Sequence, residues 1–206
     1  MLQLKTYSEE QIIELLANQP DGRYTKFFRQ AHSLWTRFKN YSKNPPYVLE
    51  DVVKVPVAII YSTFSERTKY TNLYEIFSLE GCGGNGHGSA IWNLWQQEMY
   101  RKGAERVKLS CTPDSIGFHM KNGLVFWSVD KSGSLRSDQP LQKDVQEQKK
   151  FREKALLDPT ICLPNDKVRE RLKKEDIENL DLSQRKLIQT YEAIQKTGDF
   201  WLRKHL

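Results

Sequence analysis

Residues 80–126 decide the fold, and near their start residues 81–88 have the sequence GCGGNGHG. This run holds five of the 11 glycines in the chain. Glycine at such density gives the backbone access to positive φ and removes side chains that would keep a ligand away. In residues 89–102 the apolar residues have helical spacing, which predicts a helix after the run. A glycine loop leading into a helix N-terminus exposes unpaired N–H groups, so the pattern indicates an anion site.

Several classes of phosphate-binding protein use such a loop, so the residues that follow it matter. The run lacks the Gly-Lys-Ser/Thr of a Walker loop, and it is not a clean dinucleotide fingerprint. After the helix, residues 106–112 alternate as a short strand does. Residues 113–124 then predict one helical turn, a glycine break and another strand.

This order of motifs resembles the GNAT superfamily of acyl-CoA-dependent N-acyltransferases. Residues 84–90, GNGHGSA, resemble its Gly-x-Gly-x-Gly-Ser-Ala pyrophosphate loop. Residues 114–124 loosely resemble its Asn-x-x-Ala-x-x-Phe-Tyr-x-x-x-Gly-Phe signature. The motifs cover residues 78–127, and the order of elements extends the resemblance to about residues 1–130.

Three positions depart from the family pattern. Gly83 stands where the family usually has Arg or Gln, His119 where it has Tyr, and Leu124 where it has Phe. The first two substitutions remove a side chain that commonly binds phosphate and the usual general acid. They leave open the alternative of a non-catalytic relative.

The resemblance implies an α/β (α+β) fold, with a mixed, mostly antiparallel central sheet flanked by helices. We expect this domain to occupy residues 1–140 and a charged, helical C-terminal extension to occupy residues 141–206. Ser8 and Gln11 predict a capping box at the start of the first helix, whose buried residues are expected to include Ile12 and Ile13. The other elements are predicted at residues 24–41 (helix), 47–49, 55–63 and 70–79 (strands), and 143–157, 166–174 and 183–196 (helices).

Composition restricts the class of protein. Of 206 residues, 38% are hydrophobic and 28% are charged, and no apolar run reaches the roughly 20 residues that span a bilayer. The start of the chain lacks the pattern of a secretory signal. The three cysteines are scattered and form no Cys-x-x-Cys pair, which indicates reduced thiols in a cytoplasmic protein. The four histidines do not occur at the spacing of paired metal ligands with these cysteines, so no metal site is expected.

The resemblance implies acetyl-CoA or another acyl-CoA as cofactor. Backbone N–H groups of the glycine loop would hold its pyrophosphate, and the splayed end of the preceding strand would hold its thioester oxygen. Asp114 matches a family position that often meets the cofactor. The predicted cofactor-binding residues are therefore Ser78, Gly84, Asn85, Gly86, His87, Gly88, Ser89 and Asp114.

Acyl transfer to an amine also needs a base for the amine and a proton for the departing thiolate. His119, in place of the family tyrosine, is the candidate acid, because an imidazole titrates near neutrality. Glu75 and Glu80 are the candidate bases. Cys82 beside the loop would permit a covalent mechanism only with a histidine partner, which the sequence does not identify.

The acceptor is expected to be an amine, and the resemblance implies that the first two helices and their junction contact it. Arg23, Tyr24 and Tyr74 are the candidate contacts. The second helix, residues 24–41, interleaves aromatic and basic residues; helical spacing favours a core face, and a surface for stacking bases is the alternative. The aromatic and basic residues of this helix, together with the net charge of +6, are also compatible with an alternative function. The alternative is a protein on the same scaffold that binds DNA or RNA or modifies its bases, of the phage DNA-modification type.

Overall fold

The computed structural model describes residues 1–111, 115–125, 128–129 and 134–162, together with residues 189, 192–193 and 196–197. The chain divides into two compact units, Met1–Ala104 and Glu105–Leu206. The elements of the first unit are β1 (Gln3–Thr6), α1 (Glu9–Ala17), α2 (Arg23–Arg37), β2 (Tyr47–Glu50), β3 (Pro56–Ser65), β4 (Tyr70–Ser78) and α3 (His87–Arg101). The second unit has β5 (Arg106–Cys111), α4 (Ile116–Lys121), β6 (Ser128–Val129), β7 (Leu135–Pro140), α5 (Val145–Leu157) and a 3₁₀ turn (Pro159–Cys162).

In the first unit, β1 to β4 form an antiparallel meander in chain order. The register pairs Val48 with Ile59 and Tyr61 with Glu75. Ser62 then pairs with Leu73, so Tyr74 is an extra residue on β4 and forms a β-bulge. The bulge re-aims β4 just before it enters the glycine loop.

The two faces of this meander bury different residues, because side chains of a strand alternate between its faces. Helices α1 and α2 share a core with one face, which includes Ile12, Phe28, Trp35 and Tyr61. On the other face the indole N–H of Trp95, in α3, donates to Ser62 Oγ at 2.9 Å. Burial of both faces explains why β3 is apolar without interruption from Val57 to Tyr61.

The capping box of α1 is confirmed. The Gln11 N–H donates to Ser8 Oγ at 3.3 Å, and the Ser8 N–H donates to Gln11 Oε1 at 2.9 Å. Of the two isoleucines expected in the core, Ile12 is fully buried, whereas the prediction for Ile13 was wrong, since 51% of it is exposed. Ile13 lies about 100° around the helix axis from Ile12, on a side of α1 that solvent reaches.

Only half of the predicted apolar face of α2 lies in the core. Phe28, Ala31 and Trp35 are buried, but 43% of Phe27, 39% of Leu34 and, just beyond the helix, 66% of Phe38 are exposed. The apolar stripe in the sequence is wider than the strip of sheet and α1 available to cover it. Spacing alone therefore overestimated the core.

In the second unit, β7 pairs with both β5 and β6, again antiparallel. The Arg106 guanidinium donates to Asp138 Oδ1 at 3.0 Å. Gln139, which is fully buried, accepts from the Val125 N–H at 2.8 Å and donates to the Gly123 carbonyl at 3.1 Å. Its amide therefore ties β7 to the turn after α4.

Helix α5 packs on this same turn. Gly123 has φ +89°, and a Cβ on it would lie 2.7 Å from the carbonyl carbon of Gln148. Arg152 donates to the Met120 carbonyl at 2.9 Å. The first predicted helix of the extension thus contacts residues before position 140, while the domain boundary at 140/141 stays a prediction.

The fold class is confirmed as mixed α/β, with a mostly antiparallel sheet flanked by helices. The helix predicted for residues 166–174 lies outside the described residues. Of the helix predicted for residues 183–196, the structure describes only residues 189, 192, 193 and 196, and these four are helical. Among the described residues, no helix combines the length and the hydropathy needed to cross a membrane.

Gly123→Ala is expected to destabilise the second unit by more than Gly103→Ala destabilises the first. Both glycines have positive φ, +89° and +84°, so an alanine costs each about 1–2 kcal/mol. Only at Gly123 does the new Cβ also meet backbone at 2.7 Å, which adds about 1–3 kcal/mol of overpacking. Urea unfolding of both variants checks this, and equal losses of stability would contradict the contact between the turn and α5.

Candidate active site

The glycine loop connects β4 to α3, and three of its glycines have left-handed backbone. Gly81, Gly84 and Gly86 have φ of +76°, +82° and +77°, and a Cβ on any of them would meet no protein atom within 4 Å. The glycines are therefore required by conformation and not by crowding. They leave a surface of bare backbone open to solvent.

Helix α3 begins at His87, two residues earlier than predicted, with Gly86 as its N-cap. The N-cap supplies no side-chain acceptor, and the first turn contains no acidic residue. Among the described residues, no acceptor is found for the amide groups of residues 84–89, which are exposed or half-buried. A 15-residue helix thus presents uncapped N–H groups and the positive end of its macrodipole at the loop.

His87 lies within this loop, and its side chain turns back onto the loop itself. His87 Nδ1 is 3.2 Å from the carbonyl oxygen of Cys82, so the ring N–H braces the loop backbone. The contact is with the backbone of Cys82 and not with its sulfur. Burial raises the pKa of the Cys82 thiol, which keeps the sulfur protonated and disfavours a covalent mechanism.

Gly83, the position that lacks the side chain usual in the family, lies beside Tyr24. A Cβ on Gly83 would be 3.8 Å from Cε2 of the tyrosine ring and 4.0 Å from its hydroxyl oxygen. The first turn of α2 thus supplies a polar aromatic side chain to the glycine loop. Sequence spacing gave no signal for this contact, because the two residues are about 60 positions apart in the chain.

Glu80, the residue before the loop, caps the start of α2. Its Oε2 accepts from the Tyr24 N–H at 2.9 Å and from the Thr25 N–H at 3.4 Å. Helix α2 begins after Gly22, which has no side chain to do this. The carboxylate therefore already has a structural function, and its function as a catalytic base stays a prediction.

Glu75, the other candidate base, follows the bulge residue Tyr74 on β4. Burial raises the pKa of the Glu75 carboxyl, although the residue is partly exposed. In the strand register it faces Tyr61, whose pKa is also raised by burial. A carboxylate with a raised pKa that solvent still reaches suits general-base chemistry.

The candidate acceptor contacts spread along one face of α2. The Arg23 guanidinium lies over the Phe27 ring at 5.5 Å from its centroid. The Tyr74 ring packs edge-on against the Trp35 ring, with 5.4 Å between the ring centroids. Trp35 is 11 residues after Tyr24 in α2, which places it about 16 Å further along the helix axis. The structure therefore does not bring Tyr24 and Tyr74 into contact.

His119 belongs to the second unit, where it lies in α4. It is buried, and desolvation lowers its pKa to about 3, so the imidazole is neutral at pH 7. A neutral imidazole has one N–H to donate but not the readily transferred proton of an imidazolium. Its assignment as general acid stays a prediction, and Asp114 lies outside the described residues.

Ser78 ends β4, where it pairs with Ala58, and Leu79 continues the ladder by donating to the Val57 carbonyl at 2.9 Å. Within the first unit the structure thus gathers Ser78, the glycine loop, Glu80 and the start of α2 in one region. Among the described residues no group of histidine, cysteine and acidic side chains has the arrangement of a metal site.

The pH dependence of stability should reveal the buried His119. In the unfolded chain it takes up a proton near pH 6.5, whereas in the folded protein it stays neutral down to about pH 3. Its contribution is fully present above pH 6.5 and is lost as the pH falls toward 3. We expect the free energy of unfolding to drop by about 2 kcal/mol from pH 7 to pH 5 through this residue alone.

Urea unfolding at several pH values measures this drop. The His119→Gln variant cannot titrate at this position, so its stability should fall about 2 kcal/mol less over the same interval. Equal pH dependence in the two proteins would contradict a buried neutral imidazole.

No protein-family model and no curated protein matches the sequence. Solved structures do match the fold. A mutant spermidine/spermine N-acetyltransferase SpeG from Vibrio cholerae has a TM-score of 0.52 and 13% identity over 71% of this chain and 99% of its own. The spermidine N-acetyltransferase of the same organism, in complex with CoA and spermine, has a TM-score of 0.53 and 11% identity over 69% and 96%.

A third similar structure is the PaiA N-acetyltransferase from Thermoplasma acidophilum, in complex with coenzyme A. Its TM-score is 0.51, with 12% identity over 68% of this chain and 99% of its own. In each comparison nearly the whole of the acetyltransferase is matched, and the resemblance is one of fold at low identity. The protein therefore has the GNAT fold that its two motifs predicted, in a divergent form.

Proposed function

We propose that the protein is an N-acyltransferase that transfers an acyl group from acyl-CoA to an amine by direct attack in a ternary complex. The observation that carries this proposal is the set of uncapped backbone amides at residues 84–89, presented by a bare glycine loop at the start of α3. Such a set suits a diphosphate, because several N–H groups and the helix dipole act on one anion. Two of the similar structures hold coenzyme A, which supports the same cofactor here.

When bound, acyl-CoA supplies a thioester whose carbonyl carbon is the electrophile. The amine nitrogen forms a bond to that carbon, and the carbon–sulfur bond breaks. The nitrogen loses one proton and the departing sulfur gains one, so the exchange balances without an oxidant or reductant. We assign the acetyl group as donor by resemblance to the family.

We assign the removal of the amine proton to Glu75. Its carboxyl has a raised pKa, which brings its basicity closer to that of a proton acceptor working near neutral pH. Glu80 is less suited, since Oε2 already accepts two hydrogen bonds from α2. His119 holds the family position of the general acid; because its imidazole is neutral, its single N–H would donate a hydrogen bond to the departing sulfur, and the proton that the sulfur gains would come from solvent.

The acceptor is an amine that contacts α2 and the bulge of β4, through Arg23, Tyr24 and Tyr74. One similar acetyltransferase was crystallised with spermine, an elongated polyamine. The spread of about 16 Å between Tyr24 and Trp35, on which Tyr74 packs, is compatible with an elongated acceptor.

Coenzyme A or acetyl-CoA is expected to stabilise the protein against heat, and this is the first test of the proposal. At a hundredfold excess over the dissociation constant, binding adds about 2.7 kcal/mol, which raises the Tm of a chain of this size by about 5 °C or more. Gly86→Ala should abolish the shift, because an alanine at φ +77° is strained and would disturb the backbone that presents the amides of residues 84–89.

Gly103→Ala is the matched control. Gly103 has a similar φ of +84°, and a Cβ there would meet only Lys69 Nζ at 4.0 Å, so both variants carry similar backbone strain. It lies outside the glycine loop and should retain the shift. Equal loss of binding in both variants, or no shift in the wild-type protein, would contradict the proposed cofactor site.

Glu75→Gln is expected to lower kcat by about 10²–10⁴-fold, because an amide cannot take up the amine proton. In the wild-type protein the rate should fall on the acid side as the raised pKa of Glu75 is crossed, and this limb should vanish in the variant. Release of the free thiol with a panel of amines measures both. Glu66→Gln, at an exposed turn, is the matched control and should leave kcat unchanged.

A further inference from the structure

Glu80 connects two segments that the proposed function assigns to different substrates. It immediately precedes the glycine loop, and its carboxylate accepts from the first-turn amides of α2, where Arg23 and Tyr24 lie. Tyr24 lies 56 residues before Glu80 in the chain. A carboxylate at a helix N-terminus is favoured both by the hydrogen bonds and by the helix dipole.

The carboxylate lies close to the backbone at Gly22, so a side chain at this position would displace it. A Cβ on Gly22 would lie 2.2 Å from both Cδ and Oε2 of Glu80. The φ of Gly22 is −179°, an extended backbone that any residue adopts. Space for the carboxylate, and not conformation, therefore explains this glycine.

The same two segments also lie close together at a second place. The Tyr24 ring lies beside Gly83, where a Cβ would be 3.8 Å from Cε2 of the ring. The N-terminal turn of α2 thus lies near residues on both sides of Gly81, the glycine with φ +76° that begins the loop. A shift of the loop backbone would move both contacts.

We propose that Glu80 is a positioning residue that couples the cofactor loop to the acceptor side of the site, so that occupation of the loop orders the start of α2. This inference rests on the proposed function for the assignment of the loop to acyl-CoA and of α2 to the amine. Since linkage is reciprocal, a disturbance at Gly22 also weakens binding at the loop.

Amide hydrogen exchange on the full chain tests the coupling, with coenzyme A as the probe. In the wild-type protein, coenzyme A should slow exchange both in residues 81–90 and at the amides of Tyr24 and Thr25, by about fivefold or more at the latter. In Glu80→Ala the loop amides should still respond, whereas those of Tyr24 and Thr25 should exchange faster and no longer respond.

Glu80→Gln separates positioning from catalysis. The glutamine carbonyl oxygen still accepts from the α2 amides but cannot take up a proton, so the coupling should persist in this variant. Glu9→Ala is the matched control, because Glu9 Oε1 accepts from Thr36 Oγ1 at 2.9 Å near the other end of α2. It should leave the response of Tyr24 and Thr25 unchanged.

The reciprocal arm uses Gly22→Ala, which displaces the carboxylate without removing it. Its affinity for coenzyme A, measured by calorimetry, should fall about fivefold or more. In the Glu80→Ala background the same substitution has nothing to clash with and should have no further effect, so the two changes are non-additive.

Two results would overturn the inference, and they differ in what else they remove. If coenzyme A slows exchange in the loop but not at Tyr24 and Thr25, the coupling is wrong and the cofactor site stands. If it slows exchange in neither segment of the wild-type protein, the cofactor site is wrong and the coupling is lost with it.

Discussion

The backbone amides at the start of α3 are the constraint on which the rest of the candidate site depends. An α-helix leaves its first N–H groups without partners, and here neither the N-cap nor the first turn provides an acceptor. Positive φ at Gly84 and Gly86 keeps the loop clear of side chains, so water or an anion must satisfy these groups. Binding a diphosphate at this place uses a capacity for hydrogen bonding that the fold leaves open.

The rest of the first unit holds this loop in place. The antiparallel meander buries both of its faces, one under α1 and α2 and the other under α3, so β4 enters the loop from a rigid support. The bulge at Tyr74 turns β4 and leaves Glu75 reachable by solvent beside the buried Tyr61. Glu80 then fixes the start of α2 relative to the loop.

The structure shows the surroundings of two positions that differ from the family pattern and of one candidate base. The Tyr24 ring lies beside Gly83, the position whose side chain is missing. His119 is buried and neutral, a state in which an imidazole donates a hydrogen bond but holds no spare proton. Glu80 is bound to a helix end and is therefore less available as a base than its place before the loop suggested.

By itself, the sequence determined the features that depend on neighbouring residues: the capping box of α1, the strands around residues 47–49, 55–63 and 70–79, and the glycine loop followed by a helix. The mixed α/β class followed from the family resemblance of these motifs. Capping, alternation and glycine conformation act over a few residues, so a linear pattern records them. Tertiary structure alone decided the exposure of Phe27, Leu34 and Ile13, the proximity of Tyr24 to Gly83, and the cap that Glu80 provides for α2. These features depend on which surfaces meet in the folded protein. Tyr24 is separated from Glu80 and Gly83 by almost 60 residues of sequence, and a local sequence pattern does not show which distant residues come together.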